Sequence, residues 1–286
     1  MKLVRFGPVG KERPGVLRDD VVVDVTDVVG DFDATFLAAG GLRTLAAEIE
    51  GRNDLPVHPA ASIRRWGAPI ARPGKVVCIG LNYAVHAEES GMELPEEPVV
   101  FFKAPSTVVG PEDDVLIPVG GTKTDWEVEL GVVIGGTGRY LGSEQEAADI
   151  IAGYCVSHDV SERHFQLERG GQWVKGKSCE TFNPLGPWLV TTDEVPEPQQ
   201  LGLTLAVNGH TRQKSSTASM IFPVLEVVRY LSQFMVLEPG DLINTGTPPG
   251  VGMGMNPPQY LREGDVVELS IEGLGAQRQQ VRQATR

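Results

Sequence analysis

Glu127 and Glu129 stand one residue apart in Asp125-Trp126-Glu127-Val128-Glu129-Leu130, a segment that runs directly into the apolar stretch GVVIGG. On a strand, alternate residues share a face, so both carboxylates point one way and Trp126, Val128 and Leu130 the other. On an exposed strand such a pair is a solvated face. On a buried strand the two carboxylates repel and lose hydration unless a cation sits between them. The apolar run that follows favours a central, buried strand. All-oxygen donors suit hard cations such as Mg²⁺, Mn²⁺ or Ca²⁺. Asp159 closes the strand-like run GYCVSHD ahead of a polar turn, where a strand-end carboxylate faces a cleft. His158, its neighbour, should point the other way and reads as a structural histidine.

A second group lies in Gly80-Leu-Asn-Tyr-Ala-Val-His86-Ala-Glu-Glu89. His86 and Glu89 are three apart, so one helical turn brings them together. On a surface turn this is a solvated ion pair. Beside a cleft, the carboxylate fixes the imidazole tautomer and makes the other ring nitrogen a better base. Gly171-Gln-Trp-Val-Lys-Gly176-Lys177-Ser178 matches the phosphate-binding expression GxxxxGK[ST] literally. That motif needs an apolar strand before it and a helix after it. The preceding SERHFQLERG is polar, and Asn183-Pro184 and Gly186-Pro187 follow, so Lys177 requires another explanation. VIGGTG (133–138) lacks the full dinucleotide-binding pattern and reads as turn glycines.

The elements that must carry these groups belong to a chain of 286 residues, room for one large domain with a small appendage. Hydrophobic residues are 41% and charged ones 22%, a globular composition. Gly 34 and Pro 21, spread without a period, point to many short strands joined by tight turns. The net charge of −13 argues against nucleic acid, whose binders are basic. Most of the acid excess reads as solubility. Three cysteines far apart, Cys78, Cys155 and Cys179, predict no disulfide framework and a reducing, cytoplasmic setting. MKLVRFGPVGKERPG has no apolar h-region, predicting no signal peptide, and no apolar stretch is long enough to span a bilayer.

Residues 1–70 read as a small α/β unit: strands at Lys2–Phe6 and Val16–Val25, and a helix at Phe36–Ile49 interrupted by Gly40-Gly41. A proline-punctuated segment puts a boundary near residue 70. Beyond it, KVVCIGLN, PVVFFK, WEVELGVVIGG and AGYCVSHDV read as strands. Asn82–Ser90, Glu144–Ile151 and Phe222–Met235 read as helices, the last with Val224, Val227, Val228, Leu231 and Phe234 at helical spacing. Strands outnumber helices without regular βαβ alternation, which predicts an α+β, β-rich fold.

The stretches GLNYAVHAEE, KTDWEVELGVVIG, AGYCVSHDVSERHFQ, GKSCETFNPLGPWLV, VNGHTRQ, FPVLEVVRYLSQFMVLEPGDLINTGTPPGVG and YLREGDVVELSIEGLG together resemble the fumarylacetoacetate hydrolase superfamily. They cover about residues 75–275 in the family's order. MKLVRFG, KTDWEVE and ERGGQW are most similar to the bacterial hydrolases of 2,4-diketo-3-deoxy sugar acids derived from L-rhamnonate or L-fuconate. The resemblance implies a small N-terminal domain, 1–70, and a catalytic domain of mixed β-roll or β-sandwich type, 71–286. It places Glu127, Glu129 and Asp159 as ligands of Mg²⁺ or Mn²⁺, and His86 and Glu89 as the pair that activates water. It makes Lys177 an active-site lysine. Gln166, Arg163 and Thr247 fall on substrate-site positions, and Arg212 and Gln213 on a substrate-facing hairpin. Cys179-Glu180 and Lys214 depart from the usual pattern.

The implied reaction is hydrolysis of a small anionic acylpyruvate-type acid to pyruvate and a second carboxylic acid, lactate for a deoxyrhamnonate-type substrate. Decarboxylation of an oxaloacetate-like acid, another lyase or isomerase reaction of the family, and a non-catalytic metal-binding role are the competing readings. The family also implies a homodimer, while charge and hydropathy argue against nucleic acid or membrane as partner.

Overall fold

The strand forecast from WEVELGVVIGG runs from Val128 to Ile134, and every residue of it is buried. In the computed structural model, which describes residues 1–89, 91 and 93–286, it lies inside an eleven-stranded sheet. Ile151–His158 pairs with it antiparallel on one side and Leu242–Asn244 on the other. Val76–Gly80 then adds parallel to Leu242–Asn244, and Val99–Lys103 forms the edge beyond it.

On the far side of Ile151–His158, Leu189–Thr191 pairs with Lys2–Phe6, followed by Arg13–Arg18, Val21–Asp24 and Val57–Pro59. The strands of residues 1–70 therefore extend the same sheet that carries the acidic segment. A second sheet of five strands runs in the order His210–Ser216, Gly202–Val207, Val266–Ile271, Gly275–Gln283, Val115–Ile117.

The period of two decides what fills the space between them. Val128, Leu130 and Val132 pack in one cluster with Leu203, Leu205, Val267 and Leu269 of the smaller sheet. Val133, Cys155 and Leu242, on the opposite face, meet Leu37, Leu45 and Ile49. Each such side chain removed from water contributes about 2 kcal/mol. The architecture is thus α+β and β-rich.

The helix expected at Phe36–Ile49 is two helices, Ala34–Ala38 and Gly41–Ile49, because Gly40 turns the chain at φ 69°. The helix expected at Phe222–Met235 spans Val224–Leu231 with Val224, Val227, Val228 and Leu231 buried. Phe234 lies beyond its end and is 66% exposed, its ring 4.8 Å from that of Tyr230. Ser232 caps the helix and donates its hydroxyl to the Arg229 carbonyl. Among the described residues, no helix is long and apolar enough to cross a membrane.

Candidate active site

Strand register brings the three acids together. Glu129 lies opposite Ser157, and Val128 opposite His158. One step further, the Asp159 amide donates to the Glu127 carbonyl at 3.0 Å. Glu127 and Asp159 are therefore neighbours at the open end of two central strands, with Glu129 two residues along on the same face. Carboxylate oxygens of the three lie within 4.8 Å of one another, and all three residues are buried. His158 points the other way, as its parity requires. Its Nδ1 meets Gln279 Oε1 at 3.1 Å, and burial pushes its pKa down to about 4.

Three cations surround this cluster. Lys177 Nζ donates to Glu127 Oε2 at 2.6 Å and to Asp159 Oδ2 at 2.9 Å. Lys103 Nζ takes the other Asp159 oxygen at 2.5 Å and the Val160 carbonyl at 3.0 Å. Arg163 donates to Glu127 Oε1 at 2.6 Å, Asp125 Oδ2 at 2.8 Å and Gln166 Oε1 at 3.1 Å. Burial pushes the Glu127 carboxyl up, but Lys177 and Arg163 outweigh it and hold it well below the usual carboxylate range.

Glu129 has the opposite balance. Burial, then the charges of Asp159 and Glu127, push its carboxyl well above that range. It accepts the Gly246 amide at 2.8 Å and pairs with no cation among the described residues. Four carboxylates (Asp125, Glu127, Glu129, Asp159) against three cations leave one negative charge in a buried site. The geometry, the all-oxygen donors and the uncompensated Glu129 fit a hard divalent cation held by Glu127, Glu129 and Asp159.

Lys177 reaches the cluster from the short helix Val174–Lys177, which packs against Arg163–Leu167. Gly176 makes that approach possible, since a Cβ there would lie 2.4 Å from the Glu162 carbonyl. Lys177 thus belongs to a carboxylate cluster and not to a phosphate loop. Replacing Arg163 by Ala leaves the buried Asp125 without a cation and Glu127 with Lys177 alone. The expected loss is about 3–5 kcal/mol of stability, measured by urea unfolding; a loss under 1 kcal/mol would show that the guanidinium does not hold them.

The expected helix at Asn82–Ser90 is Ala84–Glu89; Ser90 lies outside the described residues. Asn82 anchors its base, donating to the Phe222 and Thr245 carbonyls and accepting from the Phe222 amide. His86 Nδ1 lies 3.1 Å from Glu89 Oε1. Glu89 in turn accepts the Gly250 amide at 3.0 Å. The pair is therefore tied to the TGTPPG loop, and Nε2 remains the imidazole nitrogen available to the cleft.

One cleft is lined by His86 together with Glu127, Glu129, Lys177, Gln166 and Thr247. Arg163 holds Gln166 by its oxygen, which leaves the amide Nε2 for the cleft. The Thr247 hydroxyl is committed, donating to the Val128 carbonyl at 3.0 Å and accepting from Gln213 Nε2 at 2.8 Å.

Two expected substrate contacts lie away from the cleft. Gln213 spends its amide on Thr247, the Pro248 carbonyl and the Val128 amide, so it braces the site's scaffold. Arg212, one residue earlier on the strand, faces the opposite way and lies over the Trp126 ring at 5.9 Å, lining a separate cavity with Asn208 and Tyr260. Sequence reasoning missed Lys103, Asn82 and the role of Asp125, whose carboxylate accepts the Gly252 and Met253 amides. A lysine closing the apolar strand VVFFK was the available signal for Lys103.

Residues 75–282 match the C-terminal domain of fumarylacetoacetate hydrolase. The chain belongs to this family. A protein of Burkholderia lata provisionally named a hydrolase is 52% identical, covering 99% of this chain and all of the relative. A Mycobacterium abscessus structure provisionally named a 2-hydroxyhepta-2,4-diene-1,7-dioate isomerase is 35% identical with TM-score 0.84, covering both chains fully. Maleylpyruvate hydrolase from Sphingobium sp. SYK-6, solved with manganese(II) and pyruvate, is 29% identical with TM-score 0.80, again over both whole chains. The protein is accordingly an enzyme of the fumarylacetoacetate hydrolase family, a family of metal-dependent acylpyruvate-type hydrolases and isomerases.

Proposed function

We propose that the protein hydrolyses the carbon–carbon bond of a 2,4-diketo acid of acylpyruvate type, giving pyruvate and a second carboxylic acid. Diketo-deoxy sugar acids are the first substrates to try. The observation that carries this reading is the His86–Glu89 pair facing the three-carboxylate cluster across one small cleft.

Glu127, Glu129 and Asp159 would hold Mg²⁺ or Mn²⁺. Bound there, the cation supplies Lewis-acid polarisation of the keto oxygens and a template for the anionic substrate. Glu89, fixed by the Gly250 amide, orients His86 and supports positive charge on its ring. His86 Nε2 takes a proton from water as the oxygen attacks the distal keto carbon. Gln166 Nε2 and the charge on Lys177 stabilise the oxyanion. The tetrahedral species collapses with cleavage of the bond between the distal keto carbon and the methylene. The electron pair stays on the methylene as pyruvate enolate, and a proton there gives pyruvate.

The Mycobacterium abscessus likeness favours a second reading, an isomerase that moves a proton without water attack. An enzyme-coupled pyruvate assay on acetylpyruvate and oxaloacetate, with Mn²⁺ and then with EDTA, tests the proposal. Hydrolysis predicts metal-dependent pyruvate from acetylpyruvate. Pyruvate from oxaloacetate alone favours a decarboxylase, and none from either contradicts the proposal.

A further inference from the structure

The polar groups of the cleft gather at its carboxylate end, and most are already committed. Every nitrogen of Arg163 donates to Asp125, Glu127 or Gln166. Lys177 is shared by Glu127 and Asp159. The Thr247 hydroxyl is held between Gln213 and the Val128 carbonyl. The rest of the lining is largely apolar, with Phe101, Trp173, Leu81, Leu167 and Met253, and the Phe101 ring centroid lies 5.0 Å from Lys177 Nζ.

Trp173 is seated there by its surroundings. Its ring meets Phe101 edge-on, with centroids 5.3 Å apart at 66°. Its indole also lies over Gly80, where an added Cβ would come 2.7 Å from the Trp173 six-membered ring. Gly80 closes the strand that leads to His86, so the missing side chain gives the indole its place beside the catalytic helix.

We infer that the acyl end of the substrate terminates in an apolar group, a methyl or short alkyl chain, seated against Trp173 and Phe101, and that Trp173 selects it. This rests on the acylpyruvate reading and narrows it. A substrate anchored by its pyruvyl end at the carboxylate cluster, with its distal keto oxygen toward Lys177, brings its acyl group against the apolar wall formed by Phe101 and Trp173. A hydroxyl buried against it would lose water without gaining a partner, and a carboxylate would lose more. Among diketo-deoxy sugar acids, those ending in methyl fit the wall, and those ending in hydroxymethyl or carboxylate do not.

The test compares kcat/KM of the Mn²⁺-loaded enzyme for butanoylpyruvate, its isostere with hydroxyl in place of the terminal methyl, and succinylpyruvate. The expected preference for butanoylpyruvate over the hydroxyl isostere is about 10- to 100-fold, with succinylpyruvate poorer still. Trp173→Ala shrinks that ratio several-fold, and Gly80→Ala shrinks it too by displacing the indole. Equal or better use of the polar-ended substrates, or a ratio that Trp173→Ala leaves unchanged, overturns the inference while leaving the acylpyruvate reading intact. Calorimetry with the uncleavable acids oxohexanoate and oxoadipate reads the same wall without turnover. Tighter binding of oxohexanoate supports the inference. Equal or tighter binding of oxoadipate overturns it, even where no acylpyruvate is cleaved and the hydrolase reading itself fails.

Discussion

His86→Ala lowers kcat for pyruvate release by about 10³-fold, the loss expected when a positioned general base is removed. The same variant binds Mn²⁺ with unchanged affinity. The reason is geometric. His86 stands on the helix Ala84–Glu89, whereas the three carboxylates stand on the ends of two central strands and share no hydrogen bond with the imidazole. Glu89 keeps its Gly250 contacts when the ring is gone, so the helix retains its tie to the loop. Activity within tenfold of the parent protein would remove His86 from the proton-transfer role. A parallel loss of metal affinity would make it a ligand instead.

Glu129→Ala weakens Mn²⁺ binding by about 100-fold or more, since it deletes one of three oxygen ligands and the loss of an outer-shell partner alone costs about 10- to 100-fold. Metal-dependent turnover falls with it. Glu129 is also the member of the cluster whose removal strands no cation. It accepts one backbone amide, and its buried charge is opposed by Asp159 and Glu127. The metal-free variant is therefore as stable toward urea as the parent protein, or more stable. Glu127→Ala behaves differently, because Arg163 and Lys177 both lose a partner and the fold weakens. Calorimetry and urea unfolding on the two variants separate these effects. Unchanged Mn²⁺ affinity in Glu129→Ala would place the cation elsewhere, and a large loss of metal-free stability would mean that Glu129 is a structural residue.

The carboxylate cluster was legible because a strand's period of two is local. Glu127 and Glu129 share a face by parity, and Asp159 ends a recognisable neighbouring strand. The compensating charges were harder to read. Lys177 meets Glu127 across fifty positions and Lys103 meets Asp159 across fifty-six. Asn82 spans more than a hundred to reach Phe222. Such pairings follow from the sheet order and not from spacing along the chain. The same holds for Lys2–Phe6, whose partner Leu189–Thr191 lies far along the sequence. Arg212 and Gln213 show the limit of motif matching. One residue of offset on a strand sends Arg212 to the far side of Trp126 while Gln213 turns inward to the scaffold. The break between the two helices at Gly40-Gly41 was legible, because glycine readily takes the left-handed turn found at Gly40.

Water attack on the distal keto carbon dictates which products form. Acetylpyruvate incubated with the Mn²⁺-loaded protein should yield one pyruvate and one acetate per molecule consumed, with no carbon dioxide. Carbon dioxide release, or a product isomeric with the substrate in place of acetate, would contradict it.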